Sequence, residues 1–155
     1  MSLSPYDECV CGSGKKIKFC CPKNSLGEVE KIVEAINGDQ RIAAIGSLTR
    51  LIAKSPDSLC LLSLKAQTQL AVNDLKGFGE TALEIDKVAS EDPLAICYKS
   101  LAMCLQDKVE EAVALLQDAL TKIASSDQKP SIVGLAARPV VDFSLSEDKP
   151  VMALA

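Results

Sequence analysis

From residue 28 onward the apolar positions keep a helical rhythm. Val29, Ile32, Val33 and Ile36 recur at spacings of three and four, which puts them on one face of a helix. Ser25-Leu26-Gly27-Glu28 ahead of them has the Ser-x-x-Glu form of a capping box, and Asn37-Gly38 supplies a stop. Asp39 is expected to cap a second run, with Ile42, Ala43, Ile45, Leu48, Leu51 and Ile52 on one broad face and Ser55-Pro56-Asp57 as its end. A third run, about residues 58–72, is apolar nearly all round (Leu59, Leu62, Leu64, Ala66, Leu70) and is predicted to be the most buried helix. Residues 73–79 read as a turn. A fourth run over 80–89 carries Ala82, Leu83, Ile85, Val88 and Ala89. A fifth starts at Pro93, a tolerated first-turn position, and holds Ile96, Leu101, Met103 and Leu105. Asp107-Lys108 turns the chain into a sixth, about 109–124, with Val109, Ala112, Val113, Leu116, Ala119, Leu120 and Ile123. Short connections with no strand signal between them predict antiparallel helical hairpins, an all-α fold.

The hairpins carry a weak repeat. Pro56 and Pro93 each follow an amphipathic helix and a polar turn, and residues 93–126 make a 34-residue unit. In it Ala112, Leu116 and Ala119 stand where the tetratricopeptide pattern alternates small and large residues, and Met103 and Val109 flank the turn. Ala44, Leu48 and Leu51 before Pro56 follow the same spacing more loosely. Residues 39–126 thus resemble degenerate tetratricopeptide repeats, although the unit from Pro56 to Pro93 is three residues too long. Such repeats imply a concave protein-binding surface. After Ser126 the prolines at 130, 139 and 150 argue against a long helix, and residues 140–145 could form one short strand. The last eight residues, from Asp148, resemble the opening of the fifth helix, as in a fragment of a longer repeat protein.

Composition narrows the chemistry. The chain has 155 residues, a formal net charge of -4, no Trp and no His. The acidic balance argues against a whole-protein nucleic-acid binder. Without His there is no Cys-His or Ser-His nucleophile pair, and any zinc ligands must be Cys, Asp or Glu. No apolar run is long enough to span a bilayer, and the N-terminus lacks the pattern of a signal peptide. An odd number of cysteines, seven, suits the reducing cytoplasm better than a disulfide frame.

Four of those cysteines fall within Cys9-Val10-Cys11-Gly12-Ser13-Gly14-Lys15-Lys16-Ile17-Lys18-Phe19-Cys20-Cys21. We read the stretch as a one-zinc knuckle over residues 5–23 with Cys9, Cys11, Cys20 and Cys21 as ligands. Glycines allow the sharp reversal, and eight residues bring the chain back to the metal. The adjacent Cys20 and Cys21 can both ligate only if the backbone there turns or begins a helix. Lys15, Lys16 and Lys18 would offset the charge of four thiolates on Zn²⁺ and lower the thiol pKa values. With so little core of its own, a knuckle of this size should fold as it binds metal.

These residues resemble the SEC-C motif, the zinc-binding tail of the preprotein translocase ATPase SecA, through Cys9, Cys11, Gly12, Ser13, Gly14, Lys15, Lys16, Lys18, Cys20 and Cys21. Val10, Ile17 and Pro22 depart from the family's usual Pro, Tyr or Phe, and Gly. The resemblance implies a zinc-bound docking element that engages a chaperone and the ribosome. This chain has no ATPase motor, so only the binding role carries over. A phosphate loop at Gly12-Ser13-Gly14-Lys15 is disfavoured, since Cys9 stands where the first Walker Gly belongs and Lys16 follows the Lys. A redox dithiol is disfavoured by the lack of Cys-x-x-Cys on a helix. Cys60, Cys97 and Cys104 read as small core residues.

The sequence therefore predicts a zinc knuckle (5–23), a helical-repeat domain (25–126) and an irregular C-terminal segment (127–155). The expected function is that of a non-catalytic, cytoplasmic adaptor holding one structural Zn²⁺. The knuckle would dock one protein partner through Lys15, Lys16 and Lys18, and the helices another. The alternative is an RNA- or ribosome-associated factor using the same lysines. A thiol enzyme is a further rival.

Overall fold

The computed structural model describes residues 3–125 and 130–146, and the side chains of all of these but Lys23, Pro139, Val140 and residues 143–146. Two compact units divide the chain, Met1–Val88 and Ala89–Ala155. The described residues are helical apart from turns and one isolated antiparallel bridge, Glu8 to Lys16, so the fold is all-α as the periodicity predicts. Among them no helix is long and apolar enough to cross a membrane.

In the first unit the cysteine stretch holds the one-turn helix α1 (Ile17–Cys20) and a 3-10 turn at Lys23–Ser25. Helices α2 (Leu26–Asn37), α3 (Arg41–Lys54), α4 (Leu59–Ala71) and α5 (Leu75–Ala89) follow. α2 packs on α3, and α3 on α4. The core joins Val29 and Ile32 of α2, Ala44, Leu48 and Leu51 of α3, and Cys60, Leu61 and Leu64 of α4. Cys9, Cys11, Ile17 and Cys21 belong to the same apolar cluster. The knuckle is thus built into the core of the first unit. As predicted, α4 is buried nearly all round, from Cys60 to Gln69.

Four local expectations need correction. Ser25 occupies the N-cap of α2 but makes no side-chain cap bond. The preceding 3-10 turn uses its N–H, which donates to Pro22 O at 3.0 Å, and the Glu28 carboxylate pairs instead with Lys54 at 3.4 Å. Asp39 does not cap α3 either. It sits in the left-handed region (φ 61°) and pairs with Arg41 at 3.1 Å, leaving Gln40 at the N-cap without a side-chain bond. Ile42, placed on the buried face from its spacing, is 71% exposed. Residues 73–79 are not all turn. Asn73 (φ 60°) reverses the chain and Asp74 Oδ1 accepts from Gly77 N at 3.0 Å, so α5 begins at Leu75. Gly77 and Gly79 flank Phe78, whose complete burial holds the helix there.

The second unit contains α6 (Pro93–Cys104), α7 (Val109–Ala124) and α8 (Ile132–Ser146). Asp92 caps α6, accepting from Leu94 N at 2.9 Å, with Pro93 in its first turn. The link to α7 is four residues with Asp107 at φ 60°, which returns α7 antiparallel along α6. Ala112 and Ala119 are fully buried where α6 and α7 pack. The C-terminal segment is not irregular throughout. α8 runs through Pro139, in place of the expected strand at 140–145. Proline costs the helix one backbone bond, but burial of Ile132 and Ala136 and packing of α8 on both α6 and α7 offset it. The expected helix start after Asp148 lies outside the described residues.

Candidate metal centre

The cysteine stretch folds into a tight reversal. Cys9 N donates to Lys15 O at 2.8 Å and Ile17 N to Asp7 O at 3.0 Å, on either side of the Glu8–Lys16 bridge. Between these segments Gly12 and Gly14 adopt φ 75° and 73°, the left-handed region where a side chain would be strained. Gly12 N closes the first bend onto Cys9 O at 3.0 Å. Two long-range bonds seat the reversal on the helices. Leu3 N donates to Glu30 Oε1 of α2 at 2.9 Å, and Gln67 Nε2 of α4 donates to Cys11 O at 2.7 Å.

α1 meets the condition that the adjacent cysteines impose. Cys20 ends a helical turn and Cys21 is extended (φ −87°, ψ 150°), and both sulfurs stay within the cysteine cluster. Cys20 Sγ lies 3.4 Å from Cys11 Sγ and 3.3 Å from Ser13 Oγ. Cys21 Sγ lies 3.2 Å from Cys9 Sγ and 2.6 Å from Cys60 Sγ. Cys9 and Cys60 are 3.5 Å apart.

Four sulfurs, those of Cys9, Cys11, Cys20 and Cys60, lie within 4.8 Å of one another. A tetrahedral ion with Zn–S bonds of about 2.3 Å needs sulfurs about 3.8 Å apart, so the spacing suits one. Cys11 and Cys60 are fully buried and Cys9 nearly so. These four cysteines can hold a metal ion, and an all-thiolate set favours soft or borderline metals.

The structure brings Cys9, Cys11 and Cys20 into this group as the sequence predicts. It adds Cys60, which the sequence reads as core, and puts Cys21 beside it. Cys60 is indeed core, 0% exposed, but nothing local in Leu59-Cys60-Leu61 signals its second role. Cys97 and Cys104 of α6 belong to no such cluster among the described residues. Of the lysines, Lys16 is exposed and Lys15 and Lys18 half-buried. Lys18 Nζ sits 4.3 Å from the Tyr6 ring centroid and 4.7 Å from that of Phe19.

Protons in the cluster are unevenly held. Hydrogen bonds from Cys11, and then from Cys21, Cys60 and Cys9, pull the Cys20 thiol far down. Cys11 is pushed well up, first by its bond to Cys20, and Cys60 well up, first by its bond to Cys11. Cys9 ends at about 12, the lowering by Cys11 being outweighed by its bonds to Cys20 and Cys21 and by burial. Loading an ion must expel the protons that these thiols hold, which couples binding to pH.

Comparison of the chain with protein-family models, with curated proteins and with solved structures finds no match.

Proposed function

We propose that this protein is a zinc-binding adaptor without catalytic activity, in which one structural Zn²⁺ holds the N-terminal knuckle in the shape that a protein partner recognises. The observation that carries this reading is the group of four sulfurs at near-tetrahedral spacing. Thiolate ligands and the absence of His suit zinc held in a closed structural site, since all four positions are taken by protein. The resemblance of Cys9 to Cys21 to the SEC-C motif supports a docking role. The helical hairpins, similar in spacing to tetratricopeptide repeats, engage a second partner. The thiols stay reduced and metal-loaded in a cytoplasmic setting. The test is capture of partners by the full chain with and without chelator. Protein partners retained only with zinc are expected, and partners retained equally after chelation contradict the reading.

A second reading, an RNA- or ribosome-associated factor, has one specific observation in its favour. Lys18 lies against the exposed rings of Tyr6 (68%) and Phe19 (74%), a pairing of cation and aromatic that suits stacked bases. Binding to single-stranded RNA that falls steeply with salt, and falls again in Lys16→Ala and Lys18→Ala, would favour it over the adaptor.

A further inference from the structure

Resting on the metal-binding reading above, we propose that Cys60 of α4, and not Cys21, supplies the fourth sulfur of the metal site. The ion then fastens the knuckle to the helical core. Three observations converge. First, Cys9, Cys11, Cys20 and Cys60 are the four sulfurs that lie within 4.8 Å of one another. Second, Cys21 and Cys60 exclude each other. Their sulfurs are 2.6 Å apart, which at bonds of about 2.3 Å subtends about 70° at an ion, against about 109° in a tetrahedron. One corner is therefore open to one of them, and Cys21 stands outside the set as its hydrogen-bonding neighbour.

Third, α4 addresses the knuckle twice from one face. Gln67 follows Cys60 by two helical turns and donates to Cys11 O at 2.7 Å, fixing the reversal that carries two of the other ligands. Leu64, between them on the same face, belongs to the apolar cluster that also contains Cys9 and Cys11. The site is thus held by a rigid helix on one side and a glycine-bent loop on the other.

The consequence is a cross-link over long sequence separation. An ion held by Cys20 and Cys60 closes a loop that includes all of α2 and α3. Closing such a loop removes freedom from the unfolded chain, so metal stabilises the hairpin of α2 and α3 as well as the knuckle. A site made only of Cys9, Cys11, Cys20 and Cys21 would have no such reach.

The deciding experiment is a cobalt(II) titration of the full chain, read by sulfur-to-cobalt charge-transfer absorption, with Cys21→Ser and Cys60→Ser alongside. Wild type and Cys21→Ser are expected to show equal, four-thiolate intensity, with affinity in Cys21→Ser reduced by about 10-fold, as for an outer partner of a ligand. Cys60→Ser is expected to lose about a quarter of the intensity and more than about 100-fold in affinity, beyond what loss of an outer partner costs. Any loss of intensity in Cys21→Ser, or full intensity in Cys60→Ser, overturns the proposal. Should Cys60→Ser fail to fold, the cobalt affinity of Cys21→Ser decides, since a fall of more than about 100-fold would mark Cys21 as a ligand and overturn the proposal. Wild-type protein that takes up no cobalt and no zinc would instead sink the metal-binding reading itself, a result distinct from either pattern among the variants.

Discussion

Cys60 in α4 and Cys97 in α6 stand in nearly the same local setting. Each is fully buried, each is flanked by large apolar residues, and each belongs to a helix buried on most of its faces. In the first unit, however, four other cysteines reach Cys60. In the second, among the described residues, Cys97 belongs to no such cluster, and burial, then the carboxylate of Asp92, push its thiol up to about 11. The difference lies in what the rest of the chain brings alongside, and not in the residue or its helix. A glycine-bent loop places a core cysteine in a cluster that can hold a metal, and without it the same residue is only small and apolar.

Metal removal should separate the two regions most. Structural zinc contributes about 10–16 kcal/mol in comparable peptides. Chelation is therefore expected to abolish slow hydrogen exchange in residues 9–21 and to weaken it in α4, while α6 and α7 keep theirs. Equal loss in both units would break the comparison. A smaller contrast comes from substitution. Cys11→Ser should remove the metal, whereas Cys97→Ser should keep it and destabilise by about 1–3 kcal/mol through a buried hydroxyl. Metal content and urea unfolding of the two variants check this.

Titration sharpens the comparison from both sides. Because thiolates bind the ion, acid should release metal from the first unit and leave the second untouched, as metal content across pH 7 to 4 would show. At the alkaline end the sign follows from Cys97, whose pKa rises from 9.0 unfolded to about 11 folded. Its contribution is complete below pH 9 and is lost as pH climbs to 11, by ~2 kcal/mol. Cys97→Ala should flatten that fall in chemical denaturation series, and an unchanged slope would contradict it. The smallest effect expected is that of Gly14→Ala, where the left-handed φ of 73° costs about 1–2 kcal/mol and loosens the knuckle without removing a ligand. Thermal melts of the metal-loaded variant measure it.

Most of the helical frame was legible because its signals are local. α7 covers the residues that its periodicity predicts, and α6 opens on Asp92-Pro93 as expected. The misreadings came where tertiary contacts outweigh local preference. Phe78 holds a helix across two glycines, and packing of α8 on α6 and α7 carries it through Pro139. The site was legible where its residues are close in sequence, at Cys9, Cys11 and Cys20. Cys60 was not, because its partners lie about forty residues or more upstream and only the packing of α4 on the knuckle brings them together.

The central claim is that the first unit's cysteines hold one ion. Metal analysis of the full chain, purified without added metal or chelator, tests it directly. About one equivalent of zinc per chain is expected. Less than about half an equivalent, unchanged after refolding with zinc under reducing conditions, would contradict it.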